Sequence, residues 1–231
     1  MRILALEGSA KSASAALLED GVLRGEFFIN AGLTHSETLL PMCETLLRTL
    51  RVEVDSVERY AVSAGPGSFT GLRIAIATLK GMMAVTGSRC APVSTLESMA
   101  YNITGDGLVC AAMDARCAQV YNALFRVEGG VVTRLTPDRA LSIEQLDGEL
   151  AECGPIILVG DGAELCYNTF KKVRSAVLAP ESARFQRASS VARLAARLPD
   201  EAFVTAEELV PVYLRLPQAE RERRRRLKGE E

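Results

Sequence analysis

Gly65-Pro66-Gly67-Ser68-Phe69-Thr70-Gly71-Leu72-Arg73-Ile74-Ala75-Ile76-Ala77-Thr78-Leu79-Lys80-Gly81 joins a glycine-rich turn to a helix that is apolar on nearly every side. It follows the strand-like Arg59-Tyr60-Ala61-Val62-Ser63-Ala64, so a strand must turn sharply into a helix. Glycine frees the backbone for such a turn, and the first N–H groups of a helix have no partner within it. A junction of this kind suits a phosphate or a partner protein. The bland alternative is a strand-to-helix turn that binds nothing.

Two nucleotide motifs are excluded by spacing. A Walker A loop ends in Gly-Lys-Ser/Thr, whereas Gly71 is followed by Leu72 and Arg73. A dinucleotide fingerprint wants GxGxxG after the first strand and an acidic residue about 20 positions later. The glycines here are spaced GxGxxxG.

The pattern around the junction predicts a duplicated α/β architecture. Arg2 to Glu7, Ser12 to Leu18 and Val22 to Asn30 read as strands, with Glu19-Asp20-Gly21 as a turn. His35 to Leu50 reads as a helix with Leu39, Leu40, Cys43, Leu46, Leu47 and Leu50 on one stripe. Thr34 or Ser36 caps it, and Pro41 either bends it or marks its first turn. A strand at Ala91 to Val93 and a helix at Leu96 to Tyr101 lead to the turn Gly105-Asp106-Gly107. Strands then recur at Leu108 to Met113, Gln119 to Arg126 and Val131 to Leu135, with Gly129-Gly130 as a hairpin turn. A helix from Ile143 capped by Ser142, a strand Ile156 to Val159, and helices Ala163 to Phe170 and Val191 to Leu198 complete the second half. Two lobes follow, 1–105 and 106–216, with a charged tail over 217–231 that is expected to be disordered.

The chain has 231 residues, of which 48% are hydrophobic, ample for packed cores. A formal net charge of -2 provides no strong field to recruit nucleic acid or an anionic membrane. Cys43, Cys90, Cys110, Cys117, Cys153 and Cys166 form no CxxC pair, and several sit in apolar runs, which reads as reduced thiols. With no signal-like leader and no long uninterrupted apolar run, a cytoplasmic protein off the membrane is expected.

His35 is the only histidine, so no metal site or acid–base scheme built on paired imidazoles is available. Ser63, Ser68 and Ser94 lie in no GxSxG elbow. Asp114-Ala115-Arg116, between the first two strands of the second half, is a turn that could hold magnesium or simply pair its own ends. Glu7-Gly8-Ser9 occupies the equivalent turn of the first half. A sugar kinase or actin-type ATPase would grip phosphates with Asp and clustered glycines at both turns; here one has Glu and a single glycine, the other no glycine. The run Glu220-Arg221-Glu222-Arg223-Arg224-Arg225-Arg226 is either a solvated end or a contact for a phosphate backbone.

Several separated motifs resemble the TsaB (YeaZ) family. They are Leu4-Ala5-Leu6-Glu7, His35-Ser36-Glu37 with Leu40-Pro41, the Gly65-to-Gly81 run, Val93-Ser94-Thr95-Leu96, Asp114-Ala115-Arg116 with Val120-Tyr121, and Pro211-Val212-Tyr213-Leu214-Arg215. The resemblance implies an actin-like (ASKHA) two-lobed protein of the bacterial machinery that makes threonylcarbamoyladenosine in tRNA. It further implies a subunit with no catalytic residues and no bound metal, which binds and supports the transferase TsaD, is joined by the ATPase TsaE, and meets tRNA through the complex. The family commonly has Asp where Glu7 stands, and Cys117 and Ala118 replace more usual polar or glycine residues.

On this reading Glu7, Ser9, Gly65, Gly67, Ser68, Asp114 and Arg116 are vestigial nucleotide-site positions, and ADP or ATP would bind only at a joint interface with TsaD and TsaE. Gly65 to Gly71 then positions the helix rather than a phosphate. That helix is apolar on more faces than one sheet can cover. Leu72, Arg73, Ile74, Ile76, Leu79, Met82 and Met83, with Leu39, Cys43, Leu46 and Leu47 alongside, form the expected surface for TsaD, or for a second copy when TsaD is absent. The competing classes are a degenerate actin-type ATPase or glycoprotease-like peptidase, and a stand-alone homodimeric interaction protein.

Overall fold

In β1 (Arg2–Glu7) Ile3 and Ala5 leave one face and Leu4 and Leu6 the other, and all four are fully buried. A strand sends successive side chains to opposite sides, so a strand buried on both needs helices above and below its sheet. The computed structural model describes residues 1–215 and supplies them. The tail expected over 217–231 lies outside the described residues.

β1, β2 (Ala13–Glu19) and β3 (Val22–Ile29) form an antiparallel meander. α1 (His35–Leu50) leads into β4 (Arg59–Gly65), and α2 (Phe69–Thr86) into β5 (Arg89–Ser94), both parallel to β1. The resulting five-stranded order is β3-β2-β1-β4-β5. After α3 (Thr95–Ala100) the plan repeats. β6 (Gly107–Asp114), β7 (Gln119–Glu128) and β8 (Val131–Arg134) form a second meander, closed between the last two by Gly129 and Gly130, both at positive φ. β9 (Arg139–Ser142), α4 (Ile143–Glu149), β10 (Ile156–Val159), α5 (Ala163–Thr169) and β11 (Ala176–Leu178) follow, giving the order β11-β10-β6-β7-β8 with β9 also on β7. α6 (Glu181–Arg184), α7 (Ala188–Ala195) and a 3₁₀ turn at Asp200–Ala202 follow.

Four apolar clusters define the layers. α1 and α2 cover one face of the first sheet, where Leu39, Cys43, Leu46, Ala75 and Leu79 meet Leu4, Leu6, Leu17 and Val62. α7 covers the other, with Val191, Ala192 and Ala195 on Ile3, Ala5, Ala16 and Leu18. α3 packs Leu96 and Met99 onto Val109, Ala111 and Phe125 of the second sheet, and α4 and α5 close its far side with Leu146 and Cys166.

The lobes are therefore not contiguous at 105/106. The last expected helix, Val191 to Leu198, is α7, and it returns to the first sheet. Phe203 and Leu209 join that lobe's cores, and Cys90 bridges Val204. α2 begins at Phe69, because the Ser68 side chain accepts from Gly71 N–H and caps the helix inside the glycine run. Thr34 occupies the cap position of α1 without a side-chain bond, and Pro41 lies inside that helix rather than in its first turn. β9, β11 and α6 were not visible in the pattern. β9 prolongs the track of β8 along β7 after a break: β8 pairs with Phe125–Glu128 and β9 with Gln119–Asn122.

All six cysteines are free. Burial pushes the thiols of Cys43 and Cys166 up to about 12. Among the described residues no helix is long and apolar enough to cross a membrane.

Candidate functional site: an interlobe cleft beside an apolar helix groove

The glycine junction presses on its neighbours through its backbone. Gly65 adopts φ 141°, and a Cβ there would stand 2.1 Å from the carbonyl oxygen of Val212. The Ser68 N–H is bonded at 2.7 Å to the carbonyl of Ser9 in the β1–β2 turn. The glycines thus let two turns touch, which fixes where α2 begins.

Beneath this contact lies Glu7, fully buried. Its carboxylate accepts from Ser9 N–H at 2.6 Å and from the Ser63 hydroxyl. Burial pushes the carboxyl above its ordinary range, while the bonds from Ser63 and Ser9 pull the other way. His35 is also buried, and its Nε2 meets the carbonyl of Ala10 at 2.8 Å, a bond in which the ring must donate. The lone histidine pins the β1–β2 turn and is neither a surface contact nor a ligand in a cluster. Among the described residues no group of His, Cys, Asp and Glu is placed to hold a metal ion.

Ser9, Gly67, Ser68, Asp114 and Arg116 do converge. They line one cleft of about 570 Å³ between the lobes, together with Lys11, Phe69, Tyr121 and Asp161. Glu7 and Gly65 sit behind its wall. Asp114 receives the N–H of Arg116 at 2.7 Å and pairs with its guanidinium at 3.4 Å, so the turn is closed on itself. Asp161 lies between Gly160 and Gly162, its carboxyl accepts from Gln186 Nε2 at 2.7 Å, and burial pushes it up to about 6. Two carboxyl groups thus line the cleft and a third lies just behind, against the cations Lys11 and Arg116.

The second feature lies on the outer side of the first lobe. Leu39, Cys43, Leu46, Leu47, Leu72, Ile76, Leu79 and Met83, expected at a partner surface, are buried against their own sheet. The correction follows from helical phase: residues three and four apart share a face, and the most apolar face of each helix serves the core. Cys43 and Leu47 still border the outside, where Leu40, Val54, Ala77, Gly81, Met82 and Val85 line an apolar groove of about 490 Å³ between α1 and α2. Leu40 is 45% exposed and Val85 74%. Arg73 is exposed and Ile74 half-buried at the start of α2. The expected partner surface was assigned to α1 and α2 but to residues of their inner face; the small residues Ala77 and Gly81 mark the groove on the outer one.

The fold and this site define an actin-like (ASKHA) two-lobed α/β protein with a grooved helix pair on its first lobe. A model of the family described as "TsaD: tRNA N6-adenosine threonylcarbamoyltransferase" matches residues 30–222. The tRNA threonylcarbamoyladenosine biosynthesis protein TsaB of Escherichia coli is 30% identical, over 93% of this chain and 95% of its own. The TsaB protein of Bacillus subtilis is 28% identical, over 95% and 96%. The solved structure of YeaZ from Pseudomonas aeruginosa superposes with a TM-score of 0.79 at 29% identity, covering 92% of this chain and 99% of that one. The chain belongs to the TsaB (YeaZ) family.

Proposed function

We infer that the chain serves threonylcarbamoyladenosine synthesis in tRNA as a non-catalytic subunit that binds and supports a TsaD-type transferase. The apolar groove between α1 and α2 carries this reading. Burying one large apolar side chain is worth roughly 1.5–3 kcal/mol, so Leu40, Met82 and Val85 together offset much of the cost of association. The pathway is that of its relatives in Escherichia coli and Bacillus subtilis, both named for it.

The absence of a transfer step from this chain is supported by His35, which is buried with its Nε2 held by the Ala10 carbonyl and has no second histidine to work with. A nucleotide enters only at a joint interface with TsaD and the ATPase TsaE. A second copy takes the groove when TsaD is missing, tRNA is met through the complex, and the work is done in the cytoplasm.

Reconstitution tests the reading. Threonylcarbamoyl transfer to tRNA by TsaD and TsaE should need this chain, and Met82→Asp or Val85→Asp should abolish co-elution with TsaD while the variant stays folded. Full activity without the chain, or unchanged co-elution of both variants, would overturn it. A wild-type chain that forms only self-dimers beside TsaD would instead favour the stand-alone interaction protein.

A further inference from the structure

The last described residues bond to each lobe in turn. Val212 donates its N–H to the Ala64 carbonyl at 2.7 Å, at the end of β4. Tyr213 stacks on Phe69, the first residue of α2, with ring centroids 4.0 Å apart and planes inclined by 11°. One helical turn on, Arg73 donates Nε–H to the Tyr213 hydroxyl at 2.8 Å, and its guanidinium lies over both rings, 5.5 Å and 5.6 Å from their centroids. Two residues further, Arg215 reaches the other lobe and donates to the Ala115 carbonyl at 2.8 Å. Both anchors, Phe69 and Ala115, line the cleft itself.

The second anchor is a strained one. Arg116, Cys117 and Ala118 follow it with φ of 66°, 54° and 55°, a left-handed run that L residues avoid. Such a turn persists only where its surroundings hold it. Asp114 and Arg215 grip the first part, and Ile143 N–H bonds the Ala118 carbonyl at the end.

The strap adds little to the core. Leu209 is the last fully buried residue, whereas Tyr213 and Arg215 are half-buried and Val212 is 52% exposed. Among the described residues neither Arg73 nor Arg215 has a carboxylate within ion-pair distance. The hold consists of one aromatic stack, cation–π contacts and single hydrogen bonds, each modest and each reversible. α3 and α7 join the lobes through their cores; the strap joins them separately, through Phe69 and Ala115.

The geometry points to Pro211–Arg215 as a reversible latch that sets the angle between the lobes and ties it to the first turn of α2. Release of the strap loosens the β6–β7 turn and the start of α2 together, although they belong to different lobes. The latch is a property of the free chain. Only its consequence for partner binding, through α2 as a wall of the groove, rests on the function proposed above.

Hydrogen exchange on the full chain, without partners, tests it. Tyr213→Ala should speed exchange by about tenfold both at Gly71 and Leu72 and, across the cleft, at Ala115 and Gln119. Tyr213→Phe, which keeps the stack, should have a much smaller effect at both places. Arg215→Ala should act on the same two segments, most strongly at Ala115 and Gln119. Acceleration in Tyr213→Ala that stops at α2 would overturn the latch. So would a uniform acceleration that includes Leu4 and Phe125 in the sheets, because the strap would then be an ordinary contributor to stability.

Discussion

Gly71 rests on the carbonyl oxygen of Gly8: a Cβ at Gly71 would lie 2.0 Å from that oxygen and 3.0 Å from Cδ2 of His35. The helix and the β1–β2 turn are therefore in backbone contact, with the histidine ring as the third surface. The obstacle is main chain, which cannot rotate aside. Gly71→Ala should cost about 3 kcal/mol or more, read from the urea midpoint at constant m-value. Loss of less than about 1 kcal/mol would mean that the two turns can separate freely.

The left-handed run Arg116, Cys117 and Ala118 gives the opposite expectation. Ala118 has a Cβ where glycine would be relaxed, and the preference is worth about 1 kcal/mol. Ala118→Gly should raise thermal stability by roughly that amount, less the entropy glycine adds to the unfolded chain. A fall in Tm would show that the alanine methyl makes a compensating contact.

Asp161 makes stability depend on pH. Its carboxyl, raised by burial to about 6 from an unfolded value of 3.8, holds its proton more tightly in the folded state. The folded chain binds more protons than the unfolded one between those values, so stability falls as pH rises through the window and stays lower above it. Asp161→Asn removes this penalty. The stability gap between variant and parent should widen from pH 4 to about pH 6 and then level off. A gap independent of pH would place the titration elsewhere.

α2 separates folding from binding by face. Leu79 is fully buried, and Leu79→Ala should cost about 2–5 kcal/mol. Val85 is 74% exposed, and Val85→Ser should change stability by less than about 0.5 kcal/mol. Paired thermal melts decide this; equal losses would mean that Val85 is already covered in the free chain.

Much of this fold was legible because its elements are periodic. Short apolar runs bounded by turn residues announced β1, β2 and β7, and the Gly129-Gly130 pair announced the hairpin from β7 to β8. Ser142 was read as a cap and forms a full capping box with Gln145. β9 and β11 were not legible, since four and three residues carry too little pattern and are held by neighbours distant in sequence. The groove was half legible. A helix apolar on several faces must have two neighbours, but which face meets the sheet depends on where the helix starts, and Ser68 starts α2 inside the glycine run. Asp161 was hidden because a carboxylate between glycines looks like any turn until burial is known.

The return of α7 to the first sheet has a consequence for how the chain is made. Ile3, Ala5, Ala16 and Leu18 leave the ribosome about 170 residues before Val191, Ala192 and Ala195, which cover them. A nascent first lobe therefore carries one bare apolar sheet face until α7 has emerged. Translation cut short before residue 188 would release a sticky, chaperone-dependent fragment rather than an independent half.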